Sequence, residues 1–511
     1  MQSVAKQIRK SSIDSRHSKS SSSTGWQTIS VSDTTAQQSQ AETQVLSELD
    51  SPLPSAIDEE PTTVEDQRLK QLFRNLSIND QLILYNEFRL LPQACNALWR
   101  AKYKKLDFRE LEKKLSGGSL CYFLNYMMDH FKYVYFQADR LQANLNVLEK
   151  AGVKTLNSVQ HCELLLEPSG TRSASDSECE SVSFLRSKLI KGGDGEGDVA
   201  TERNSFTMAQ WPLHALPKLL RNLRRLKVHC DVQVHFIEHF ENLQQLILYA
   251  YISQTALTGI LERCTHLKRF FLKADTKNLH IHNIGKCQEL QDISLPTRIF
   301  HMEREAVMAL PDLQLLELTH CERDPNETLE CLRFVLDEQR TANIEIMQLD
   351  CSCFDGPRWM RQVGLRQCSR LRGLVLINCQ FNDREIADLE MPAVQKYLVF
   401  SSCHDLKEYQ LLDMVKRCPK LCELYLIDCP QLTGQVLHGI YRIRRSETVD
   451  FPLNIVLSRC NQLREDYQKM YANYWYFKLP FIKVERMQEE NRAIEDIQIF
   501  FYKKDQDMPS H

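Results

Sequence analysis

The chain has 511 residues, 43% of them hydrophobic and 26% charged, and a formal net charge of -3, which is the composition of an ordinary globular protein. This charge gives no overall field that would attract nucleic acid or an anionic membrane, and no run approaches the ~20 apolar residues of a membrane helix. We therefore expect neither a nucleic-acid nor a membrane partner. The opening stretch MQSVAKQIRKSSIDS lacks the apolar segment of a secretory signal, which predicts a cytoplasmic and/or nuclear protein.

The 18 cysteines do not have the spacing of a zinc framework. No C-x-x-C pair occurs, and Cys351 and Cys353 form a lone C-x-C. We expect reduced thiols that fill small apolar positions in the core, with no metal and no cofactor.

Two stretches are too polar to form a core. Residues 1–60 are rich in serine, and residues 168–205 are dominated by serine, glycine and charge. Burial in such segments could not offset the entropy lost on ordering. The sequence predicts a disordered tail over 1–60 and a disordered insertion over 168–205.

Residues 64–108 contain three short apolar clusters with helical spacing. The Ser77-Ile-Asn-Asp80 stretch is suited to end a first helix and cap a second one. A third cluster contains Leu98 and Trp99. Three short helices make a very small core, so this segment should be stabilised by a partner or by docking on the next domain.

Apolar residues at positions 1, 4 and 6 recur along the rest of the chain. Successive copies begin 20, 24, 23, 23, 31 and 27 residues apart, and the last copy follows after two further periods of 25. The copies are Leu223/Leu226/Val228, Leu243/Leu246/Leu248, Leu267/Phe270/Leu272, Leu290/Ile293/Leu295, Leu313/Leu316/Leu318, Ile344/Met347/Leu349, Leu371/Leu374/Leu376 and Leu421/Leu424/Leu426. This period is typical of a leucine-rich repeat.

Each repeat predicts one short strand whose apolar edge is buried only when neighbouring repeats stack beside it. The Cys-Pro of KRCPKL (416–421) should end a helix, because proline disfavours helix at the preceding residue. A cysteine after the strand, as in LINC and LIDC, suits a tight turn. Two weaker copies, Phe131/Val134/Phe136 and Leu156/Val159/His161, put the start near 120. We therefore predict an α/β solenoid, or horseshoe, over 120–445.

The spacing is blurred by one residue near 394–400 and is lost after residue 446. Terminal repeats must differ from the others because they close the exposed end of the core. We predict a cap and tail over 446–511, with Tyr474, Trp475, Tyr476 and Phe477 in the cap.

The pattern Leu-Phe-x-x-Leu-Ser-x-x-Asp-Gln at 72–81, the later Leu98-Trp99 and the Cys-Pro-x-Leu repeats resemble the F-box/leucine-rich-repeat family over about 64–460. In that family the F-box binds the Skp-type adaptor of a cullin-RING ubiquitin ligase, and the repeats hold the substrate. The resemblance implies adaptor contacts at Leu69, Leu72, Phe73, Leu76, Leu82 and Trp99. The family usually begins its F-box with Leu-Pro, where this chain has Val64-Glu65. The other interpretation is that these helices only cap the solenoid.

Positions 3, 5 and 7 of each repeat should face the concave side, because strand side chains alternate. These positions are basic and aromatic at first, then acidic, then apolar. Exposed Tyr, Phe and Arg are typical of the energetic centres of interfaces. We expect a protein substrate here, with an acidic segment near the basic residues. The predicted contacts are Lys227, Tyr249, Arg269, Phe271, Lys273 and Tyr425.

No catalytic motif is present: the chain has neither G-x-S-x-G nor a glycine-rich phosphate loop. The pair His280 and His282 is interpreted as strand-end residues. We therefore expect a non-enzyme, namely the substrate-recognition subunit of an SCF-type ubiquitin ligase, bound to a Skp-type adaptor and a cullin scaffold. The alternative is a leucine-rich-repeat binding scaffold that does not engage the ligase.

Overall fold

The structure, a computed structural model, describes residues 71–87, 92–165, 212–229, 234–250, 252–273, 279–319, 325–337, 343–382, 392, 394–446, 453–473 and 482–486. The predicted tail over 1–60, the predicted insertion over 168–205, Leu69 and the predicted cap residues 474–477 lie outside these ranges.

The strands of the described chain are all parallel. Fourteen of them form one sheet, in which each strand pairs with the strands before and after it in sequence. They are β1 (Lys105–Asp107), β2 (Tyr133–Gln137), β3 (His161–Leu165), β4 (Arg225–His229), β5 (Gln245–Leu248), β6 (Arg269–Leu272), β7 (Asp292–Pro296), β8 (Leu315–Thr319), β9 (Ile346–Asp350), β10 (Gly373–Ile377), β11 (Tyr397–Ser401), β12 (Glu423–Ile427), β13 (Leu453–Ser458) and β14 (Ile482–Arg486).

The repeat positions identified in the sequence match the residue pairing between neighbouring strands of the sheet. From β4 to β13, residues at repeat position 4 lie opposite one another, and each is at most 1% exposed. They are Leu226, Leu246, Phe270, Ile293, Leu316, Met347, Leu374, Leu398, Leu424 and Ile455. A strand this short cannot bury its own apolar side chains, and these side chains are buried only because neighbouring repeats stack beside it. The predicted α/β repeat solenoid is therefore confirmed at the level of a parallel sheet with intervening helices.

Helices precede the first strand and lie in many of the connections between strands. The described α-helices are α1 (Ile78–Glu87), α2 (Pro92–Lys102), α3 (Phe108–Lys114), α4 (Gly117–Met127), α5 (Leu141–Lys150), α6 (Leu216–Leu219), α7 (Gln254–Arg263), α8 (Thr297–Met308), α9 (Pro325–Val335), α10 (Arg358–Gln362), α11 (Glu408–Arg417), α12 (Gln435–Ser446) and α13 (Asn461–Asn473). Residues 71–75 are also helical. Helix α11 ends at the residue before Cys418-Pro419, as the Cys-Pro rule predicts.

The sheet is longer than predicted at both ends. Strand β1 begins it at Lys105, inside the segment assigned to 64–108, and β13 and β14 continue it beyond 445. The predicted limits 120–445 were therefore too narrow. The template did not reveal β13 and β14 because position 1 of β13 is Pro452 and position 6 of β14 is Arg486.

One early repeat has a different register from the predicted one. The sequence template put Leu156, Val159 and His161 at positions 1, 4 and 6, but Cys162 pairs with Val134 and Leu226 and takes position 4. Cys162 is 1% exposed. The template failed here because Leu156/Val159/His161 also fits the spacing, three residues before the triplet Val159/Cys162/Leu164 that the sheet uses. Buried cysteine packs as a small apolar side chain.

Cysteines stack in the turns that follow β10 to β13. Each strand is followed by a residue with left-handed backbone, φ 52 to 53, and then by a thiol that is at most 2% exposed. The turn pairs are Asn378-Cys379, Ser402-Cys403, Asp428-Cys429 and Arg459-Cys460. Three of the thiols donate to a carbonyl one repeat earlier: Cys403 to Leu376 at 3.7 Å, Cys429 to Phe400 at 3.7 Å and Cys460 to Leu426 at 3.3 Å.

The neighbouring thiols in this stack interact. A hydrogen bond with the adjacent thiol, together with burial, raises the pKa of both Cys429 and Cys460 well above the usual thiol range. These side chains therefore stay protonated and act as weak donors. The expectation that a small thiol suits this turn is confirmed.

Candidate functional site

The segment before the sheet contains the residues predicted to contact an adaptor. Phe73 and Leu82 are each 3% exposed and Trp99 is 1% exposed, whereas Leu72 is 56% exposed. Leu76 is half-buried. Three of the five described residues therefore form the core of the segment, and Leu72 is the one that offers a large apolar surface to solvent.

One buried amide holds this segment together. The Gln81 Nε2 group donates to the carbonyl oxygens of Phe73 at 2.7 Å and Leu76 at 3.1 Å, and the Trp99 indole donates to Gln81 Oε1 at 2.9 Å. The Trp99 ring packs edge-on against Phe123 of α4, with ring centroids 5.7 Å apart. The segment is thus joined to the helix that precedes β2, as a cap of the solenoid would be.

The strand face away from the core carries paired charges between β3 and β9. Lys227 Nζ lies 3.9 Å from Glu163 Oε1 on the preceding strand, and Arg269 Nε lies 2.7 Å from Asp292 Oδ2 on the following strand. The strand register places the two members of each pair opposite each other. Each of these predicted basic contacts therefore already has a carboxylate partner.

Lys273 forms a third charge pair, with a residue two strands away. The three pairs, Glu163–Lys227, Arg269–Asp292 and Lys273–Glu317, form what we call the charge ladder. Its ammonium group contacts Glu317 on β8, across Ser294 of β7, and Glu317 also accepts a hydrogen bond from Gln348 on β9. The exposed fractions of the Lys273 and Glu317 side chains are 7% and 2%. We expected an acidic partner segment near these cations; the pairing removes the electrostatic reason for that expectation.

Aromatic rings accompany the ladder at β4 to β6. The His229 and Tyr249 rings stack with centroids 4.3 Å apart and planes at 12°, and Lys227 Nζ lies 5.9 Å from the Tyr249 ring centre. Burial, with a smaller contribution from the Lys227 charge, lowers the pKa of His229 to about 3. Phe271 is 2% exposed. This end of the strand face is aromatic and nearly neutral in charge.

The same face becomes apolar from β8 to β13. Side chains from these six strands form a hydrophobic cluster separate from the main core, and each is at most 6% exposed. The cluster is Leu315, Ile346, Val375, Tyr397, Val399, Tyr425, Ile427 and Val456. Tyr397 covers Gly373, where a Cβ atom would lie 2.6 Å from its ring. Glycine on β10 thus makes room for the tyrosine on β11.

The six predicted substrate contacts do not converge on one site. Lys227, Tyr249, Arg269, Phe271 and Lys273 gather around β4 to β6, whereas Tyr425 lies on β12, six strands further along. At about 4.8 Å per strand this is a separation of roughly 29 Å. Sequence reasoning missed the neighbours of Tyr425 on β11 and β13, because the first repeat was blurred and the second was not predicted.

Among the described residues, one group of side chains has metal-binding atoms close together. The ligand atoms of His280, His282 and Glu303 all lie within 4.8 Å of one another. They belong to segments that follow β6 and β7, not to the strand face. From sequence both histidines are predicted to be strand-end residues, and the one signal for Glu303 is that it follows His280 by 23 residues, which is one repeat.

Comparisons with known proteins add little. No family model matches the chain, and no curated protein matches it. A solved leucine-rich-repeat protein of Leptospira interrogans is similar over 71% of this chain and 91% of its own, with 12% sequence identity and a TM-score of 0.29. A likeness this loose supports no argument about function. Within the described ranges, no helix has the length and apolar character needed to cross a membrane.

Proposed function

We propose that this protein is a non-catalytic scaffold that recognises a protein partner through the strand face of its repeat solenoid. One observation carries the proposal: fourteen parallel strands present a single continuous face that changes from paired charges and aromatics at β4–β6 to apolar side chains at β8–β13. Such a face can contact an extended or globular polypeptide over many repeats.

Recognition of this kind needs no reacting group, because the partner is held by area and by placed polar contacts. The aromatic and charged end would contact the partner and fix its orientation, since side chains such as Arg269, 19% exposed, stay accessible there. The side chains of the apolar end are at most 6% exposed, so they pack against one another and support the face.

A charge swap tests whether the ladder recognises the partner or only stabilises the fold. Arg269→Asp breaks the pair with Asp292, and the double variant Arg269→Asp/Asp292→Arg restores it in the opposite direction. We expect proximity labelling in cells to lose the same partners with the single and the double variant, while only the single variant has a lower melting temperature. If the double variant keeps every partner, the ladder does not contact them.

We also propose that the scaffold serves as the substrate-recognition subunit of a ubiquitin ligase, acting in the cytoplasm and/or nucleus. Leu72 favours this second role, because it is a large apolar side chain, 56% exposed, on the segment that resembles an F-box. The protein would then bind a Skp-type adaptor at this segment and a substrate on the strand face. Catalysis would come from raised local substrate concentration.

Co-purification with the adaptor and cullin tests the ligase role. We expect Leu72→Asp to abolish adaptor capture and Tyr409→Asp to leave it unchanged; Tyr409 is a comparable exposed apolar residue, 42% exposed, on α11. Wild-type protein that captures no adaptor, or Leu72→Asp protein that still captures it, would refute the role without affecting the scaffold proposal.

A further inference from the structure

Two imidazoles and a carboxylate meet outside the strand face. His280 Nδ1 lies 3.1 Å and His282 Nδ1 lies 2.8 Å from the same Glu303 Oε1 atom. The two imidazole rings stack with centroids 4.8 Å apart and planes at 19°. In both imidazoles the Nδ1 atom therefore faces Glu303 Oε1.

The repeat fold explains this arrangement. Ile281, between the histidines, is fully buried and anchors the segment, so His280 and His282 both lie on its outer side. Glu303 occupies the equivalent place one repeat later, and the backbone of α8 departs from helical geometry at this residue, with φ -117 and ψ 16. Stacked repeats bring such equivalent positions together.

Further contacts hold the cluster in place. The Gln254 side chain on α7 donates to the His280 carbonyl at 2.9 Å and accepts from the His280 backbone N–H at 2.8 Å. The Glu303 side chain is 8% exposed, whereas the His282 side chain is 71% exposed. The cluster therefore combines a fixed, nearly buried carboxylate with an open side through which a small ion can enter.

The cluster differs from the other His–carboxylate pairs of the described chain. His239 with Glu238, His266 with Glu289 and His404 with Asp428 each join one imidazole to one carboxylate, and the carboxylates are 22%, 47% and 33% exposed. Glu303 is more deeply buried and faces two imidazoles. A buried carboxylate is costly unless a positive charge compensates it, and a bound cation supplies such a charge.

We propose that His280, His282 and Glu303 bind a divalent transition-metal ion, with zinc the best match. Two imidazole nitrogens and one carboxylate oxygen, with water in the fourth position, form a known zinc donor set. Bond lengths of about 2.0–2.1 Å place tetrahedral ligands roughly 3.3 Å apart; Glu303 Oε1 lies 3.1 and 2.8 Å from the two Nδ1 atoms, and all three ligand atoms lie within 4.8 Å of one another. Each neutral imidazole would carry its proton on Nε2 and turn its Nδ1 lone pair to the ion.

The ion would connect neighbouring repeats. Its ligands come from the segments after β6 and after β7, and Gln254 adds a supporting contact from the segment after β5. Metal binding to the folded state alone stabilises that state, so zinc should raise the melting temperature of the solenoid. A water-bearing zinc with an open side could also accept a donor group from a partner protein.

Zinc and cobalt titrations of metal-stripped protein test the proposal. We expect the wild-type protein to bind one equivalent of zinc by isothermal titration calorimetry and to melt at a higher temperature with zinc. His282→Ala should weaken this binding at least tenfold and remove the temperature shift. His266→Ala is the matched control and should behave as the wild type.

Cobalt absorption separates this site from the thiols. We expect tetrahedral Co²⁺ bands without the thiolate charge-transfer band, and Glu303→Gln should lose them. Since His282 is highly exposed, its replacement should not impair folding, which circular dichroism checks. Equal zinc binding by wild-type and His282→Ala protein, no zinc binding at all, or a thiolate band would each overturn the proposal.

Discussion

The contact between Lys273 and Glu317 gives a sharp test of the strand-face ladder. Both side chains are almost fully buried, with 7% and 2% exposed, and Glu317 also accepts from Gln348. Removing one partner of a buried ion pair leaves an uncompensated charge, which destabilises by about 3–5 kcal/mol. We therefore expect Lys273→Met alone to destabilise the protein by an amount in this range.

The double variant separates pairing from burial. In Lys273→Met/Glu317→Gln both charges are gone, and the amide introduced at position 317 can still accept from Gln348. We therefore expect stability within about 1 kcal/mol of wild type, or above it. The exposed pair Lys114 and Glu110, with side chains 47% and 57% exposed, is the control. Lys114→Met should change stability by less than about 1 kcal/mol.

Hydrogen exchange of the β6–β8 amides is the appropriate assay. Long repeat arrays do not unfold as one cooperative unit, and native-state exchange reports the free energy of local opening. Exchange in these strands should accelerate strongly in Lys273→Met and recover in the double variant. If Lys273→Met changes exchange no more than Lys114→Met does, the pair is not desolvated and the reasoning fails.

Three further predictions concern other parts of the fold. The pKa of His229 is about 3 in the folded state against about 6.5 in the unfolded state, so the unfolded chain binds one more proton as the pH falls below 6.5 and the folded state loses about 2 kcal/mol of stability by pH 5. His229→Gln should remove this loss. If denaturant curves show the same stability difference between pH 7 and pH 5 in the variant and the wild type, the prediction is wrong. Ser402→Val should lower stability by about 1–2 kcal/mol, because at φ 52 a β-branched side chain is more strained than serine, while Ser402→Gly should not, as thermal melting can show. Trp99→Ala should destabilise the N-terminal segment by about 3–5 kcal/mol, so limited proteolysis should cut before Gly117 earlier than in wild type; an unchanged cleavage pattern would show that Trp99 does not hold the segment in place.

The sheet was predictable where the repeats are regular. Eight apolar triplets predicted the strands β4 to β10 and β12, because the buried edge of each strand depends only on local alternation and spacing. Strand β1 was missed because its triplet, Tyr103/Leu106/Phe108, lies in the segment assigned to the F-box-like helices. Strands β13 and β14 were missed because Pro452 takes position 1 of the first and Arg486 position 6 of the second, which breaks the apolar template. The register at Cys162 was missed because Leu156/Val159/His161 also fits the spacing, three residues earlier in the chain.

The strand face was less predictable. Reading its residues in chain order gave a gradient from basic to acidic to apolar, which predicted an acidic partner. In the structure Arg269 meets Asp292 one strand later, and Lys273 reaches Glu317 two strands later, so charges that are 23 and 44 residues apart in sequence neutralise each other. The adaptor-binding and substrate-binding roles of the named residues remain predictions.

The amino-acid sequence by itself determined the repeating strand, its buried edge and the turn that follows it, because these depend on alternation, spacing and the local effects of proline and cysteine. Only the tertiary structure decided which charges are paired, which apolar residues form the second cluster, and that His280, His282 and Glu303 meet. Those contacts join different repeats, and they depend on the register and length of every connection between them. Sequence spacing sets that register only where the repeats are regular.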